Sequence, residues 1–306
     1  MATAVPHEGD LLLRALSDDG TLGVRAISAV GLAREAAARQ GASALAGAAL
    51  GRALLGSVLL GAGGKDGETI ELRLRGDGPL HSVLALADSE GRARGTIGNP
   101  RAELPLRDGR LDLERGIGAG ELAVTRLRPG LLRPYTGVVP IVSGGIAKDL
   151  AFYLTESEQT PSAVGLGVLH ADDGRIDAAC GFVVQALPGA ADGSLARADR
   201  NVGALGRPAE LLRSGVGLRG LVERLLEGLG VRLLDERVPV FHCGCDAERA
   251  LRATALLGRE DLDQAIAEGG PLDVRCDFCG DRYPVDPAEA LALLAGAASG
   301  AKRRAQ

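Results

Sequence analysis

Apolar and polar residues alternate with a period of two along several short stretches in the first part of the chain. The alternation is clearest over Thr69–Arg75, and glycine-containing turns separate this stretch from Leu80–Ala87 and Arg92–Ile97. An earlier pair, Leu11–Leu16 and Leu22–Ile27, flanks a turn of its own. Such alternation is typical of half-buried strands, and closely spaced strands joined by glycine turns favour hairpins over βαβ units. The pattern therefore predicts a large antiparallel sheet.

Stretches with helical spacing lie between these strands. Ser28 and Ser43 belong to the residue types that cap helix N-termini, and each precedes such a stretch. Runs of strands with helices grouped between them are typical of the α+β class, so we predict an α+β domain over residues 1–188. The further elements predicted in it are the helices Val30–Arg39, Ser43–Leu60 and Ile146–Leu154 and the strands Ala163–Leu169 and Arg175–Ala186.

Residues 42–64 are almost wholly apolar and require a test for membrane insertion. Arg52 lies in the middle of this stretch, where a charge costs about 2.5–3.5 kcal/mol on insertion into a bilayer. The weakly hydrophobic residues Ala and Gly dominate the rest. We therefore predict a buried helix of a soluble domain and no membrane partner. The N-terminal residues lack the basic region and apolar run of a secretory signal, so we expect a cytoplasmic protein.

Residues 189–239 contain nine glycines between short apolar stretches. Leu218–Leu229 can form an amphipathic helix with Leu221, Leu225 and Leu229 on one side. Each interior glycine costs such a helix about 1 kcal/mol relative to alanine, so isolated helices here are marginal. The segment is predicted to be a metastable helical linker that requires a partner surface. An ordinary helical subdomain fits the same pattern equally well.

Residues 240–297 form a third region, too small for an extensive apolar core. Such a region needs a covalent or metal cross-link to stay folded. Residues 298–306 contain the basic run Lys302-Arg303-Arg304 and are predicted to be a disordered tail. The elements predicted before the tail are the helices Asp246–Leu257, Glu260–Glu268 and Pro287–Leu294 and the strand Pro271–Arg275.

Four of the five cysteines lie in this small region as two close pairs, Cys243-Gly-Cys245 and Cys276-Asp-Phe-Cys279. Zn²⁺ takes four ligands in a tetrahedron, and four thiolates satisfy it without an open position. The spacing therefore predicts a closed zinc site. His242 is an alternative ligand beside the first pair, although four thiolates already fill the coordination shell. A purely structural zinc staple fits this spacing as well as a switch does.

The chemistry of zinc-bound thiolates favours a redox switch. Metal binding keeps thiols deprotonated and therefore reactive toward oxidants, and each pair is close enough to form a disulfide within itself. Zinc binding contributes on the order of 10–16 kcal/mol in small zinc peptides, more than the whole stability of many domains, about 5–15 kcal/mol. Oxidation would therefore unfold the small region, and the glycine-rich linker precedes it in the chain.

Composition argues against several other functions. The net charge of −5 and the aromatic content of 2% are unfavourable for binding nucleic acid. Gly61-Ala-Gly-Gly-Lys65 misses the phosphate-loop spacing, because Leu59 replaces the first glycine and Asp66 replaces Ser or Thr, so we predict a flexible turn. No Gly-x-Ser-x-Gly motif is present. Cys180 lies in an apolar run and is predicted to be a buried core residue; we expect no enzyme activity.

Several motifs are distributed along the chain: Tyr135-Thr-Gly-Val-Val-Pro140, Ser143-Gly144, the segment from Ala151 to Val164 that includes Ser157-Glu-Gln-Thr-Pro-Ser162, Cys243-Gly-Cys245 with Glu248-Arg249, and Val274-Arg-Cys276-Asp-Phe-Cys279 with Tyr283. With these motifs, essentially the whole chain resembles the redox-regulated 33 kDa chaperonin family of bacterial heat-shock holdases. Gly145 and Lys148 stand where this family usually has acidic residues, and Asp246 stands where Ser is common, which puts only local surface charge in doubt.

The resemblance implies a reduced, monomeric, zinc-bound and inactive form in the cytoplasm. It implies that peroxide with unfolding stress, or hypochlorous acid, forms the disulfides Cys243–Cys245 and Cys276–Cys279 and releases the zinc. The linker then unfolds, and a homodimer holds unfolded or partly folded client proteins without ATP. By the same resemblance, Cys276 and Cys279 sense the oxidant, while Cys243 and Cys245 couple the redox state to the linker.

Two other classes of function remain open from the residues alone. Cys276-Asp-Phe-Cys279 has the spacing of a thiol–disulfide oxidoreductase motif, although no thioredoxin-like βαβ pattern surrounds it. A zinc-ribbon protein that binds nucleic acid would use the same four cysteines, and the acidic composition is unfavourable for it.

Overall fold

The computed structural model describes residue 7, residues 9–131 and residues 133–304, with side chains described as far as residue 295. These residues fall into two compact units, one that ends at His242 and one that begins at Cys243. The large unit contains the predicted α+β domain and the whole of the predicted linker segment.

Two sheets form the large unit. The strands are β1 (Leu11–Leu16), β2 (Leu22–Ser28), β3 (Thr69–Gly76), β4 (Ser82–Asp88), β5 (Arg92–Ile97), β6 (Gly120–Leu127), β7 (Tyr135–Pro140), β8 (Ser162–His170), β9 (Ile176–Ala186), β10 (Arg232–Arg237) and β11 (Val240–Phe241). One sheet has five antiparallel strands in the order β10-β1-β2-β9-β8. The other has six in the order β11-β5-β4-β3-β6-β7, antiparallel except that β11 pairs parallel with β5. The hairpins predicted from the alternating pattern are confirmed, since β3, β4 and β5 pair antiparallel in succession.

Helix α2 lies at the centre of the core and contacts strands of both sheets. It begins after Ser43, whose Oγ accepts a hydrogen bond from the N–H of Ala46 at 3.2 Å. Among the described residues it is the one helix long and apolar enough to span a membrane, and 89% of it is buried inside the protein. The predicted buried helix is confirmed. The helices of the first part are α1 (Val30–Gln40), α2 (Ala44–Gly61), α3 (Leu113–Ile117) and α4 (Ala147–Glu156).

The predicted cap of α1 is wrong. Ser28 is the last residue of β2, and the residue before the helix is Ala29, whose side chain makes no capping hydrogen bond. Asp10 takes this role from a distant part of the chain, because its carboxylate accepts hydrogen bonds from the N–H groups of Gly31 and Leu32 at 2.9 and 2.8 Å. The residues next to a helix cannot reveal a capping residue, such as Asp10, that is distant in sequence and reaches the helix by tertiary contact.

The glycine-rich segment forms three helices and a strand: α5 (Asp192–Leu205), α6 (Pro208–Arg213), α7 (Leu218–Leu225) and β10. Helix α7 ends at Leu225, four residues before the predicted end at Leu229. Leu221 and Leu225 are fully buried and belong to one apolar cluster with Val24 and Phe182 of the five-stranded sheet. The segment therefore packs on one face of this sheet, while its predicted metastability stays a prediction.

Strand β10 was not predicted, because its residues Arg-Leu-Leu-Asp-Glu-Arg do not alternate. It pairs with β1 from Leu12↔Arg237 to Leu16↔Arg232. The side chains of Leu233 and Leu234 are largely exposed, at 39% and 47%. Backbone hydrogen bonds and ion pairs such as Arg14–Asp235 (2.8 Å) therefore hold this strand, with little apolar burial.

The small unit has a minor core made of Leu262, Val285 and Ala290 with a few neighbours. Its last helix continues to Arg304, well beyond the predicted end at Leu294, so the predicted tail is helical as far as that residue. Ala, Lys and Arg favour helix, which accounts for the extension; residues 305–306 of the predicted tail lie outside the described residues. The elements are α8 (Ala247–Thr254), α9 (Arg259–Glu268), β12 (Leu272–Arg275), β13 (Arg282–Val285) and α10 (Pro287–Arg304).

Candidate metal centre

The hairpin β12–β13 positions the second cysteine pair. Cys276 follows β12 directly, and its N–H donates to the carbonyl of Asp281 at 2.8 Å, while Gly280 N–H donates to the carbonyl of Cys276 at 2.9 Å. Gly280 has a φ of +78°, in the left-handed region that glycine adopts readily. The tight turn brings the thiols of Cys276 and Cys279 to the same side. The Cys-x-x-Cys motif therefore lies on a hairpin. A thioredoxin-like site would require it at the start of a helix.

The first cysteine pair lies in an irregular segment just before α8. Asp246 follows Cys245 and caps this helix, since its Oδ1 accepts a hydrogen bond from Arg249 N–H at 2.7 Å. Asp and Ser cap helices about equally well, which explains how Asp246 replaces the usual Ser without disturbing the loop. A Cβ on Gly244 would lie 3.1 Å from the guanidinium of Arg249. The two cysteines therefore share a loop that a positive charge approaches closely.

The four sulfur atoms form one cluster within the small unit, all within 4.8 Å of one another. Cys243 Sγ lies 3.6 Å from Cys276 Sγ, and Cys245 Sγ lies 3.2 Å from Cys279 Sγ. A tetrahedral zinc ion with Zn–S bonds of about 2.3 Å requires sulfur atoms roughly 3.8 Å apart. The four cysteines can therefore hold a metal ion, and their number and spacing suit zinc.

Electrostatics favours a cation at this cluster. Burial, together with hydrogen bonds to neighbouring thiols, raises the pKa of Cys243 to about 11 and also raises that of Cys279. Burial acts in the same direction on Cys276, but hydrogen bonds from the N–H groups of Cys279 and Phe278 outweigh it and lower the pKa of Cys276. Four thiols this close cannot all ionise unaided, whereas a divalent cation stabilises all four thiolates.

Tyr283 of β13 adds a polar contact to the cluster. Its phenol oxygen lies 3.2 Å from Cys245 Sγ and 3.3 Å from the carbonyl oxygen of Cys245. The hydrogen bond to Cys245 raises the pKa of Tyr283, so the phenol stays protonated and can donate. In the sequence, Tyr283 stands out only as part of a motif. Its position four residues after Cys279, on the returning strand of the hairpin, was the available signal.

The other candidate residues lie in the large unit. His242, the alternative ligand, donates its backbone N–H to the carbonyl of Ala93 at 2.8 Å beside β11. Cys180 is fully buried in β9, and burial raises the pKa of its thiol to about 12. The prediction of a buried core cysteine is confirmed. Gly145 accepts a hydrogen bond at its carbonyl from Arg52 Nη1 at 3.1 Å, and Lys148 is exposed.

Comparison with known proteins identifies the family. Residues 10–286 match the family described as Hsp33 protein. The chain belongs to the Hsp33 family. An Hsp33 relative described as 33 kDa chaperonin, from Symbiobacterium thermophilum, is 41% identical over 289 residues, which cover 94% of this chain and 98% of the relative. Another, from Geobacter sulfurreducens, is 42% identical over 220 residues, which cover 72% of this chain and 73% of the relative.

A solved Hsp33 structure confirms the fold. The crystal structure of the 33 kDa chaperonin (heat shock protein 33 homolog) from Thermotoga maritima matches with a TM-score of 0.87 at 31% identity. The match covers 95% of this chain and 100% of that chain. The resemblance inferred from the sequence motifs and the predicted α+β class are thereby confirmed.

Proposed function

We propose that this chain is a redox-regulated, ATP-independent holdase chaperone. The observation that carries the proposal is the four-cysteine cluster in a small unit that follows a helical segment seated on an apolar sheet. Membership of the Hsp33 family, whose relatives are named 33 kDa chaperonins, supports a chaperone that binds client proteins. In this proposal the reduced protein is an inactive monomer in the cytoplasm and the oxidised protein is an active homodimer.

The reduced small unit depends on its cysteines. Bound zinc would join Cys243 and Cys245 to Cys276 and Cys279 and keep all four sulfurs deprotonated. The apolar core of this unit is small, so its stability rests largely on that cross-link. Loss of the ligands would remove on the order of 10–16 kcal/mol of binding free energy.

Oxidation would remove the ligands by forming two disulfides, Cys243–Cys245 and Cys276–Cys279. Each disulfide forms when a pair of thiolates gives up two electrons to one molecule of peroxide, which takes up two protons from solvent and yields two molecules of water. Disulfide sulfurs no longer carry the charge that binds a divalent cation, so the metal would leave. The small unit would then unfold, and the glycine-rich segment would lose its C-terminal anchor.

Release of the glycine-rich segment would uncover a surface suited to unfolded proteins. Helices α5 to α7 cover one apolar face of the five-stranded sheet, which includes Leu13, Val24, Phe182 and Val184. Departure of β10 would also open the edge of β1, whose backbone groups can pair with an extended client segment. Both features bind apolar, extended chains without regard to sequence, as a holdase requires.

The test follows zinc release and light scattering of a thermally aggregating client in the same sample. Peroxide at raised temperature should release about one zinc per chain and switch on aggregation suppression. Cys276→Ser should lose tight zinc binding, leave the small unit partly unfolded, and protect the client without oxidant. Cys180→Ala, which removes a buried thiol of the large unit, should keep its zinc and stay inactive until oxidised. Equal protection by the reduced and oxidised wild type would overturn the proposed switch.

A further inference from the structure

The large unit contains a second polar site, far in the chain from the four cysteines. A cavity of about 480 Å³ lies where β2 and β9 of one sheet approach β6 and β7 of the other. This volume is in the range of small-molecule sites, roughly 300–1,000 Å³. Cations outnumber carboxylates by two in its lining. The charged lining residues are Arg25, Lys65, Arg126, Arg128, Glu68 and Glu158.

The two carboxylates already have cationic partners. Glu158 receives hydrogen bonds from Arg126 Nε at 2.8 Å and Nη2 at 2.9 Å, and from Tyr153 Oη at 2.8 Å. Glu68, which is buried, lies 3.3 Å from both Arg126 Nη1 and Arg128 Nε. These contacts account for the charges of Arg126 and Arg128. Among the described residues they leave two cations of the cavity without a carboxylate in ion-pair contact, although Glu158 still attracts Arg25 at longer range.

The two uncompensated cations are Arg25 and Lys65. Arg25 donates from Nη2 to the amide oxygen of Gln185 at 2.8 Å, and within the described part of the chain no carboxylate forms an ion pair with it or with Lys65. Burial, with the neighbouring charges of Arg126 and Arg14, lowers the pKa of Arg25 to about 10. A desolvated guanidinium with one hydrogen bond to a neutral amide is costly, and an anion would offset that cost.

The turn after α2 is shaped around this guanidinium. A Cβ added to Gly63 would overlap Arg25 Nη1, so the guanidinium in this position packs directly against the glycine. Gly64 and Lys65 follow and also line the cavity. This is the glycine-rich loop that fails the phosphate-loop spacing. The loop packs against the guanidinium of Arg25 and places Lys65 in the lining of the same cavity.

We propose that this cavity binds the phosphate group of a small molecule, with Arg25 and Lys65 as its cationic ligands and the hydroxyl of Ser157 as a further donor. A phosphate group carries up to two negative charges near neutral pH, which matches the two uncompensated cations. Guanidinium groups bind phosphate oxygens in a planar, bidentate manner. The cavity is larger than a phosphate ion alone, so an attached organic group fits it. The proposal does not depend on the redox switch.

Isothermal titration of the reduced, zinc-loaded chain tests the site in phosphate-free buffer at constant ionic strength. The probes are inorganic phosphate and ADP, each against wild type, Arg25→Gln, Lys65→Gln and Arg73→Gln. Arg73 lies on β3 with its charge paired to Glu71 at 2.7 Å and outside the cavity, so it is the matched control. Lys65 is exposed, so Lys65→Gln should fold even if Arg25→Gln does not.

We expect saturable one-to-one binding of at least one probe, weakened about tenfold or more in Arg25→Gln and Lys65→Gln and unchanged in Arg73→Gln. Tighter binding of ADP than of phosphate would identify an organic phosphate as the ligand class, and equal binding would identify the free ion. The absence of saturable binding of either probe, or an equal loss in Arg73→Gln, would overturn the proposal and leave the charges as a structural network between the sheets.

Discussion

Tyr283 holds its phenol oxygen 3.2 Å from the sulfur of Cys245, on the hairpin strand that follows the second cysteine pair. A donated O–H···S hydrogen bond withdraws electron density from a thiolate and lowers its reactivity toward oxidants. We expect metal-loaded Tyr283→Phe to lose its thiols to peroxide about three- to tenfold faster than the wild type, in proportion to one lost hydrogen bond. Mass spectrometry of alkylated cysteines over time measures this rate.

The control for this prediction is Tyr135→Phe, because Tyr135 belongs to β7 of the large unit and is exposed. It removes the same hydroxyl from a tyrosine of the other unit and should leave the oxidation rate unchanged. An unchanged rate in Tyr283→Phe at equal zinc content would show that the phenol only packs against the cluster.

Leu225 is fully buried where α7 meets the five-stranded sheet. Leu225→Ala should destabilise this packing by about 2–5 kcal/mol through lost burial and a cavity. The glycine-rich segment should then exchange its amide hydrogens faster in the reduced protein, and client protection should begin at lower oxidant concentration. Leu256→Ala is the matched control, since Leu256 is 87% exposed. The same hydrogen exchange in both variants over residues 192–225 would contradict the prediction.

Asp19 links the β1–β2 turn to α5. Hydrogen bonds from Ser17 and Thr21, and a further one from Ser194 at 3.1 Å, lower the pKa of Asp19 from 3.8 to about 2. Because the pKa is lower in the folded protein, the stabilising contribution is complete above about pH 4 and is lost as the pH falls toward 2. As the pH falls from about 4 to 2, Asp19→Asn should therefore lose less of its free energy of unfolding than the wild type does.

Denaturant titrations of the wild type and Asp19→Asn at a series of pH values measure this effect. Ser194→Ala removes only the hydrogen bond to α5 and should reduce the pH dependence partially. Parallel pH profiles for the wild type and Asp19→Asn would be incompatible with the hydrogen-bonded carboxylate.

Gly145 stands near an arginine, Arg52, that has no acidic hydrogen-bond partner among the described residues. Arg52 donates to the Gly145 carbonyl, and burial, with the charge of Arg207, lowers the pKa of Arg52 to about 10. A Cβ at position 145 would meet only Ser143 Oγ, at 3.4 Å, so a larger side chain fits. Gly145→Glu should raise the free energy of unfolding by about 1–2 kcal/mol, measured by thermal denaturation of the reduced, zinc-loaded protein.

Gly145→Gln controls for the loss of a flexible glycine, since it adds a side chain of the same length without charge. The glutamate variant should be more stable than the glutamine variant, and the difference should shrink at high salt. Equal stabilisation by both substitutions would assign the effect to the backbone.

The sequence predicted those parts of the fold whose cause is local. Alternation gave the hairpins β3–β4–β5, and a long apolar run with a serine cap gave α2. Strand β10 could not be predicted, because it is held by the backbone of β1 and by ion pairs, and its own side chains show no period. The four-cysteine cluster followed from spacing. The contact of Tyr283 with Cys245 did not, because it depends on how the hairpin returns toward a loop 38 residues earlier.

The ten residues from Arg232 to Phe241 occupy one edge of each sheet, with β10 at the edge of the five-stranded sheet and β11 at the edge of the six-stranded one. Exposed sheet edges pair readily with other chains and promote aggregation. By pairing both edges, the segment therefore limits aggregation. In the proposed switch its release would open two sheet edges at once, and each would be available to pair with a client segment or with a second copy of the chain.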